Sequence, residues 1–230
     1  MLMIDPRIII AIDTFDFKKA DAILEQLNPN LCLIKIGSVV FNALGKSFLK
    51  HASSQGFKIF LDLKLHDIPN TVHETIIGFN DCKIDMLTVH LSGGEEMLRK
   101  AMLAGKSINT KVIGVSMLTS LEEEDSLTLF GNKLEDQISN LFKIAIKANI
   151  DGIVCSPHEL KIANTILGSH SIKITPGIRD IKVEDDQART MSAKEAIERG
   201  SSFLVIGRPI TQAEDISQTL KNFNDSIYEK

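Results

Sequence analysis

The chain has 230 residues, 43% hydrophobic and 24% charged, enough for one globular domain over residues 1–230 with a sizeable core. A formal net charge of −4, with no basic block at either end, argues against a nucleic-acid partner or an anionic membrane surface and points to a small molecule. Three scattered cysteines, Cys32, Cys82 and Cys155, lack metal-ligand spacing and predict free thiols in a reducing, cytoplasmic setting.

The first twelve residues carry an apolar run that Asp5, Pro6 and Arg7 interrupt upstream, which suits a strand rather than a signal peptide or membrane span. Arg7–Asp13 (RIIIAID) is that strand and ends in an acid; a helix over Phe17–Leu27 follows. Leu31–Gly37 (LCLIKIG) repeats the plan and delivers Lys35, with a helix over Val39–Ser53. The third unit is the strand opening Lys58–Thr71, with a helix from Asn70 to Phe79, and the fourth is Asp85–His90 (DMLTVH) with a helix to Ala104. Lys111–Met117 (KVIGVSM) is strand five, with Thr119 just beyond it, and the acidic run Glu122–Asp125 reads as a solvated helix start. A helix over Leu134–Ala148 precedes strand six, Gly152–Cys155, whose helix is Pro157–Ile166. Strand seven, Ile172–Thr175, ends at Pro176-Gly177-Ile178-Arg179; a helix over Ser192–Arg199 then leads to strand eight, Phe203–Gly207, which ends at Arg208-Pro209. Eight short strands, each followed by a helix at intervals of roughly 20 to 40 residues, predict an α/β fold, a (β/α)8 TIM barrel. The rival doubly wound sheet lacks its glycine-rich fingerprint, since no Gly-x-Gly-x-x-Gly follows the first strand.

Lys58–Thr71 (KIFLDLKLHDIPNT) is the most informative stretch. Strand alternation puts Phe60, Asp62 and Lys64 on one face and Ile59, Leu61 and Leu63 on the other. Charges inside a parallel strand are costly unless paired or used. Asp67 follows within one loop, and Pro69 opens the next helix. In a barrel, chemistry sits where the strands end, so Asp13, Lys35, Asp62, Lys64, Asp67, His90, Thr119, Arg179 and Arg208 collect at one face. Arg179 and Arg208, each close to a glycine after strands seven and eight, suit a phosphate clamp. Lysines interleaved with Asp62 and Asp67 compete with a metal ion for the same oxygens. A lysine flanked by acids is held in its charged form, so Lys64 suits proton donation or charge stabilisation better than Schiff-base chemistry. His66 falls on the strand face opposite Asp67 and receives no role. His90 is equally suited to the pocket and to its packed wall.

Taken together, Asp13, Lys35, Asp62–Thr71 (DLKLHDIPNT), Thr175–Arg179 (TPGIR), Asp185–Arg189 (DDQAR) and Val205–Thr211 (VIGRPIT) resemble the bacterial-type orotidine 5′-phosphate decarboxylases, in order and over nearly the whole chain. Departures at Thr190-Met191-Ser192, Ser201-Ser202 and Ile216 lie outside the catalytic motifs. The resemblance implies a homodimeric, cofactor-free barrel that converts orotidine 5′-phosphate to uridine 5′-phosphate and carbon dioxide, closing de novo pyrimidine synthesis. It further implies that Lys35, Asp62 and Lys64 form a charged network completed by Asp67 of the other subunit, with Lys64 protonating C6 of the base. Thr71, also from the partner subunit, and Asp13 would hold the ribose; Thr119 would lie beside the base; Arg179, Gln187, Gly207 and Arg208 would take the phosphate and its closing loop. The alternative within the same group of barrels is a magnesium-dependent phosphosugar enzyme of the 3-keto-gulonate-phosphate decarboxylase or hexulose-phosphate synthase type, which shares Asp-x-Lys-x-x-Asp.

Overall fold

Short runs of Ile, Leu and Val, whose branched side chains fill both faces of a pleated strand, form every wall of the barrel. In chain order the strands are β1 (Ile8–Ile12), β2 (Cys32–Gly37), β3 (Ile59–Leu65), β4 (Met86–His90), β5 (Lys111–Val115), β6 (Gly152–Val154), β7 (Ile172–Thr175) and β8 (Phe203–Ile206). The computed structural model describes residues 6–168, 171–178 and 191–228. All eight strands are parallel, pair in sequence order, and close through β8 onto β1. This is the (β/α)8 barrel that the alternation of elements predicts.

The helices are α1 (Phe17–Leu24), α2 (Ser38–Ser54), α3 (Pro69–Ile77), α4 (Gly94–Ser107), α5 (Glu123–Phe130), α6 (Leu134–Lys147), α7 (Leu160–Leu167), α8 (Ala193–Glu198), α9 (Arg208–Thr211) and α10 (Ile216–Tyr228). Several begin on chemistry visible in the sequence. The Asp16 carboxylate accepts from the Lys18 and Lys19 amides at the start of α1, and the Ser192 hydroxyl accepts from Glu195 N at the start of α8. Asp125 turns back to accept from Glu122 N, so the acidic run does open a helix. α2 is continuous in outline but kinks at Gly45, whose φ of +61° an L side chain rarely adopts. α9 and α10 supply the helical part of the eighth unit, which the sequence reading left without bounds. The signal for α10 was present in Ile216, Leu220, Phe223 and Ile227, all buried and spaced by four, three and four residues.

Strand alternation divides the apolar residues into two cores. Ile9, Leu33, Phe60, Met86, Ile113, Ile174 and Val205 point inward and meet on the barrel axis. Their neighbours, among them Ile8, Ile10, Ile34, Leu61 and Leu87, point outward and pack beneath the helices. Each such side chain contributes about 1.5–3 kcal/mol on burial. Strand five stops at Val115, two residues short of the expected Met117, because β6 supplies only three residues and the pairing ends at Val115 opposite Val154.

Candidate active site

The third strand departs from regular pairing where its charges lie. Leu61 stands opposite Leu87, but Leu65 stands opposite Val89, so β3 carries two more residues than β4 over this interval. The bulge is taken up at Lys64, whose φ of +51° lies in the left-handed region that costs a non-glycine residue about 1–2 kcal/mol. Thr88 on β4 holds it in place: its hydroxyl oxygen accepts from Lys64 N at 2.8 Å and the hydroxyl donates to Asp62 Oδ1 at 3.0 Å. One fully buried threonine thus replaces a missing ladder bond and orients the acid.

Asp62 is the hub. Its Oδ2 receives Lys64 Nζ at 2.8 Å and lies 3.4 Å from Lys35 Nζ, which arrives from β2. Burial on its own would raise the Asp62 carboxyl, but the charges of Lys35 and Lys64 and the bonds from Lys64 and Thr88 outweigh it and hold the group below the usual carboxylate range. Gly37, opposite Asp62 in the β2–β3 register, leaves room for the ammonium: a Cβ there would come 3.3 Å from Lys35 Nζ. The array is therefore two cations sharing one anion, with Lys35 and Lys64 both facing a cavity of about 630 Å³ at the C-terminal mouth of the barrel.

Asp13, Lys35, Asp62, Lys64, Thr119, Gly207 and Arg208 all line this cavity, as their positions at strand ends lead one to expect. Asp67 and Thr71 do not. Asp67 is exposed, with Oδ1 accepting from Ile68 N at 2.6 Å, and Thr71 is exposed in the first turn of α3. Arg179 and Gln187 lie outside the described residues. His90 is not among the lining residues either; its ring packs against that of His66 with centroids 5.4 Å apart. Burial, then the nearby His66 and Lys64, push His90 below the usual imidazole value. All three cysteines are free and buried, and burial pushes the Cys32 thiol up to about 12.

Residues 6–223 match the profile of the Orotidine 5′-phosphate decarboxylase / HUMPS family. The chain belongs to this family. It is 40% identical over 231 aligned positions to the orotidine 5′-phosphate decarboxylase of Psychromonas ingrahamii, covering 98% of each chain. It is 39% identical to that of Actinobacillus succinogenes, covering 97% of this chain and 98% of the relative. Among solved structures, the orotidine 5′-phosphate decarboxylase from Lactobacillus acidophilus superposes with a TM-score of 0.86 at 32% identity, covering 98% of this chain and 100% of the other. The decarboxylase name on these full-length relatives does not favour the magnesium-dependent phosphosugar alternative.

Within this family barrel, several cavity residues received no role from the sequence. Lys19 and Ile23 reach the mouth from α1, Thr211 and Gln212 from α9 and its end, and Met117 and Leu118 from the loop after β5. Thr88 is the most consequential of the missed residues. Its signal was a lone hydroxyl at an inward position of a buried strand, where a parallel sheet is otherwise apolar.

Proposed function

We propose that this chain is a carboxy-lyase that decarboxylates orotidine 5′-phosphate to uridine 5′-phosphate and carbon dioxide at the β3 mouth, the last step in making that nucleotide. The observation that carries the proposal is the Lys35–Asp62–Lys64 array, fixed by Thr88 at the strand ends of a chain from this family.

Asp62 beside the substrate carboxylate raises the energy of the bound ground state, by about 4 kcal/mol for unit charges about 4 Å apart at an effective dielectric of about 20. As carbon dioxide leaves, negative charge develops at C6 next to Lys64, so the attraction to its ammonium grows along the reaction. Lys64 then delivers the proton to C6. Lys64 provides both the positive charge and the proton, so the reaction requires no metal or organic cofactor. Asp13 holds the ribose and Thr119 lies beside the base. Arg179, Gln187, Gly207 and Arg208 grip the phosphate, remote from the bond being broken, where binding energy can close a loop and expel water.

The working unit in this proposal is a cytoplasmic homodimer in which residues 1–230 act as one domain and Asp67 and Thr71 complete the partner's site. Supporting this, both residues stand exposed outside the cavity of their own chain, and Ile68 between them leaves 67% of an apolar side chain uncovered. Mixing inactive Asp67→Ala and Lys64→Ala chains should restore activity by producing one complete site per mixed dimer; mixed dimers that form and stay inactive would refute the shared site.

The direct test follows the ultraviolet band of orotidine 5′-phosphate on addition of the purified protein with a chelator present. Rapid loss of the band is the expected result. No change, with activity instead on a ketose phosphate supplied with magnesium, would overturn both the reaction and the role of Lys64.

A further inference from the structure

Glu159 is a buried acid that this chemistry leaves unused, only 5% exposed, in the 3-10 turn between β6 and α7. A carboxylate in such a place is costly unless it is hydrogen-bonded. Here Oε2 accepts from Ser116 Oγ at 2.9 Å and Oε1 from Ser156 Oγ at 2.9 Å. Ser116 directly follows β5, and the next three residues, Met117, Leu118 and Thr119, line the cavity. Ser156 stands two residues beyond Val154, which lines the cavity from β6.

Backbone pairing between the two strands gives out at this level. The register ends at Val115 opposite Val154, leaving a stretched 3.4 Å bond from Ser116 N to Val154 O. Beyond it the Glu159 carboxylate bridges the strands. Two hydrogen bonds to one carboxyl group locate both strand ends, which an apolar side chain of equal volume would leave to packing alone.

We propose that Glu159 is a positioning residue: through Ser116 it sets the Met117-Leu118-Thr119 wall against the reacting base. The role rests on the reaction proposed above. It acts on geometry around the base, whereas the phosphate grip belongs to β7 and β8, so its loss should weigh on kcat rather than on nucleotide binding.

The test compares Ser116→Ala, Glu159→Ala and Glu159→Gln for kcat and KM on orotidine 5′-phosphate, affinity for uridine 5′-phosphate, and thermal unfolding. Assays are run well below the unfolding transition. Ser116→Ala and Glu159→Ala should lower kcat roughly 10- to 100-fold, while uridine 5′-phosphate affinity stays within about threefold. Glu159→Gln, whose amide can meet both hydroxyls, should recover most of kcat. If Glu159→Ala does not fold, Ser116→Ala and Glu159→Gln still decide the matter. A folded Ser116→Ala with kcat within about twofold of the unaltered chain overturns the role, as does a loss of kcat that merely follows the unfolded fraction. Failure of the unaltered chain to decarboxylate would be seen separately and would overturn the reaction itself.

Discussion

The two ends of this barrel use acids in opposite ways. At the lower end, Asp85 accepts from Ile59 N at 2.9 Å and Asp151 from Val112 N at 2.8 Å, each carboxylate tying a loop to the start of a neighbouring strand. At the upper end, Asp62 takes one bond from a threonine hydroxyl and spends its other oxygen on two lysine ammoniums that face open space. Cavity size does not separate the ends, since the lower cavity, at about 850 Å³, is the larger. The difference lies in what the charges touch. A carboxylate committed to backbone amides stabilises the fold, and one that orients side-chain cations toward a cavity leaves them available for chemistry.

The sharpest way to break this contrast is at Lys64. Lys64→Ala should lower turnover by at least roughly 10²–10⁴-fold while uridine 5′-phosphate still binds, as measured by steady-state kinetics and calorimetry; near-normal rates would end its assignment. Lys64→Gly should be equally inactive yet about 1 kcal/mol more stable than Lys64→Ala in denaturant unfolding, because both lose the charge but only glycine accepts the positive φ without cost.

Next in size is Thr88→Val, which keeps the shape and removes the hydroxyl shared by Lys64 N and Asp62. It should cost about 1–3 kcal/mol of stability and lower kcat together. If stability falls and kcat does not, the array does not need Thr88 to stay aligned.

At the lower end, Asp151→Ala should cost about 1 kcal/mol by releasing Val112 N and leave kcat unchanged; a fall in kcat at constant folded fraction would dissolve the distinction between the two ends. The gentlest probe is pH. Because the Asp62 carboxyl is held below its unfolded value, it adds stability above the ordinary carboxylate range, and that contribution is lost as pH falls through the folded-state value. The stability gap between the unaltered chain and Asp62→Asn, followed by denaturation from pH 7 downward, should therefore narrow in acid, and a gap that widens would reverse the assigned sign.

The contrast also shows where sequence reading works. Asp13, Lys35, Asp62 and Lys64 were legible because a charge at the end of an apolar run is expensive, and expense is visible in the order of residues. Eight such runs with helices between them likewise announced the barrel. What Thr88, Glu159 and Gly37 do was not legible, because each acts through a partner on another element, and strand register is decided by tertiary packing, so even the out-of-place hydroxyl of Thr88 did not disclose its task. The two-residue bulge in β3 has the same origin: period-two alternation placed Lys64 on the correct face but could not reveal the left-handed backbone that sets its height. Asp67 and Thr71, visible as residue types, occupy an exposed edge of their own chain, so a sequence pattern alone cannot connect them to a cavity they do not line.

The inward ring of Ile9, Leu33, Phe60, Met86, Ile113, Ile174 and Val205 has a consequence for traffic. Phe60 and Val205 form part of the lining of the upper cavity, while Leu33 and Met86 form part of the lining of the lower one, so the ring is a partition across the barrel. In the proposed reaction, the ring keeps substrate and both products on the upper side of the barrel, so carbon dioxide leaves from the same side on which the nucleotide binds.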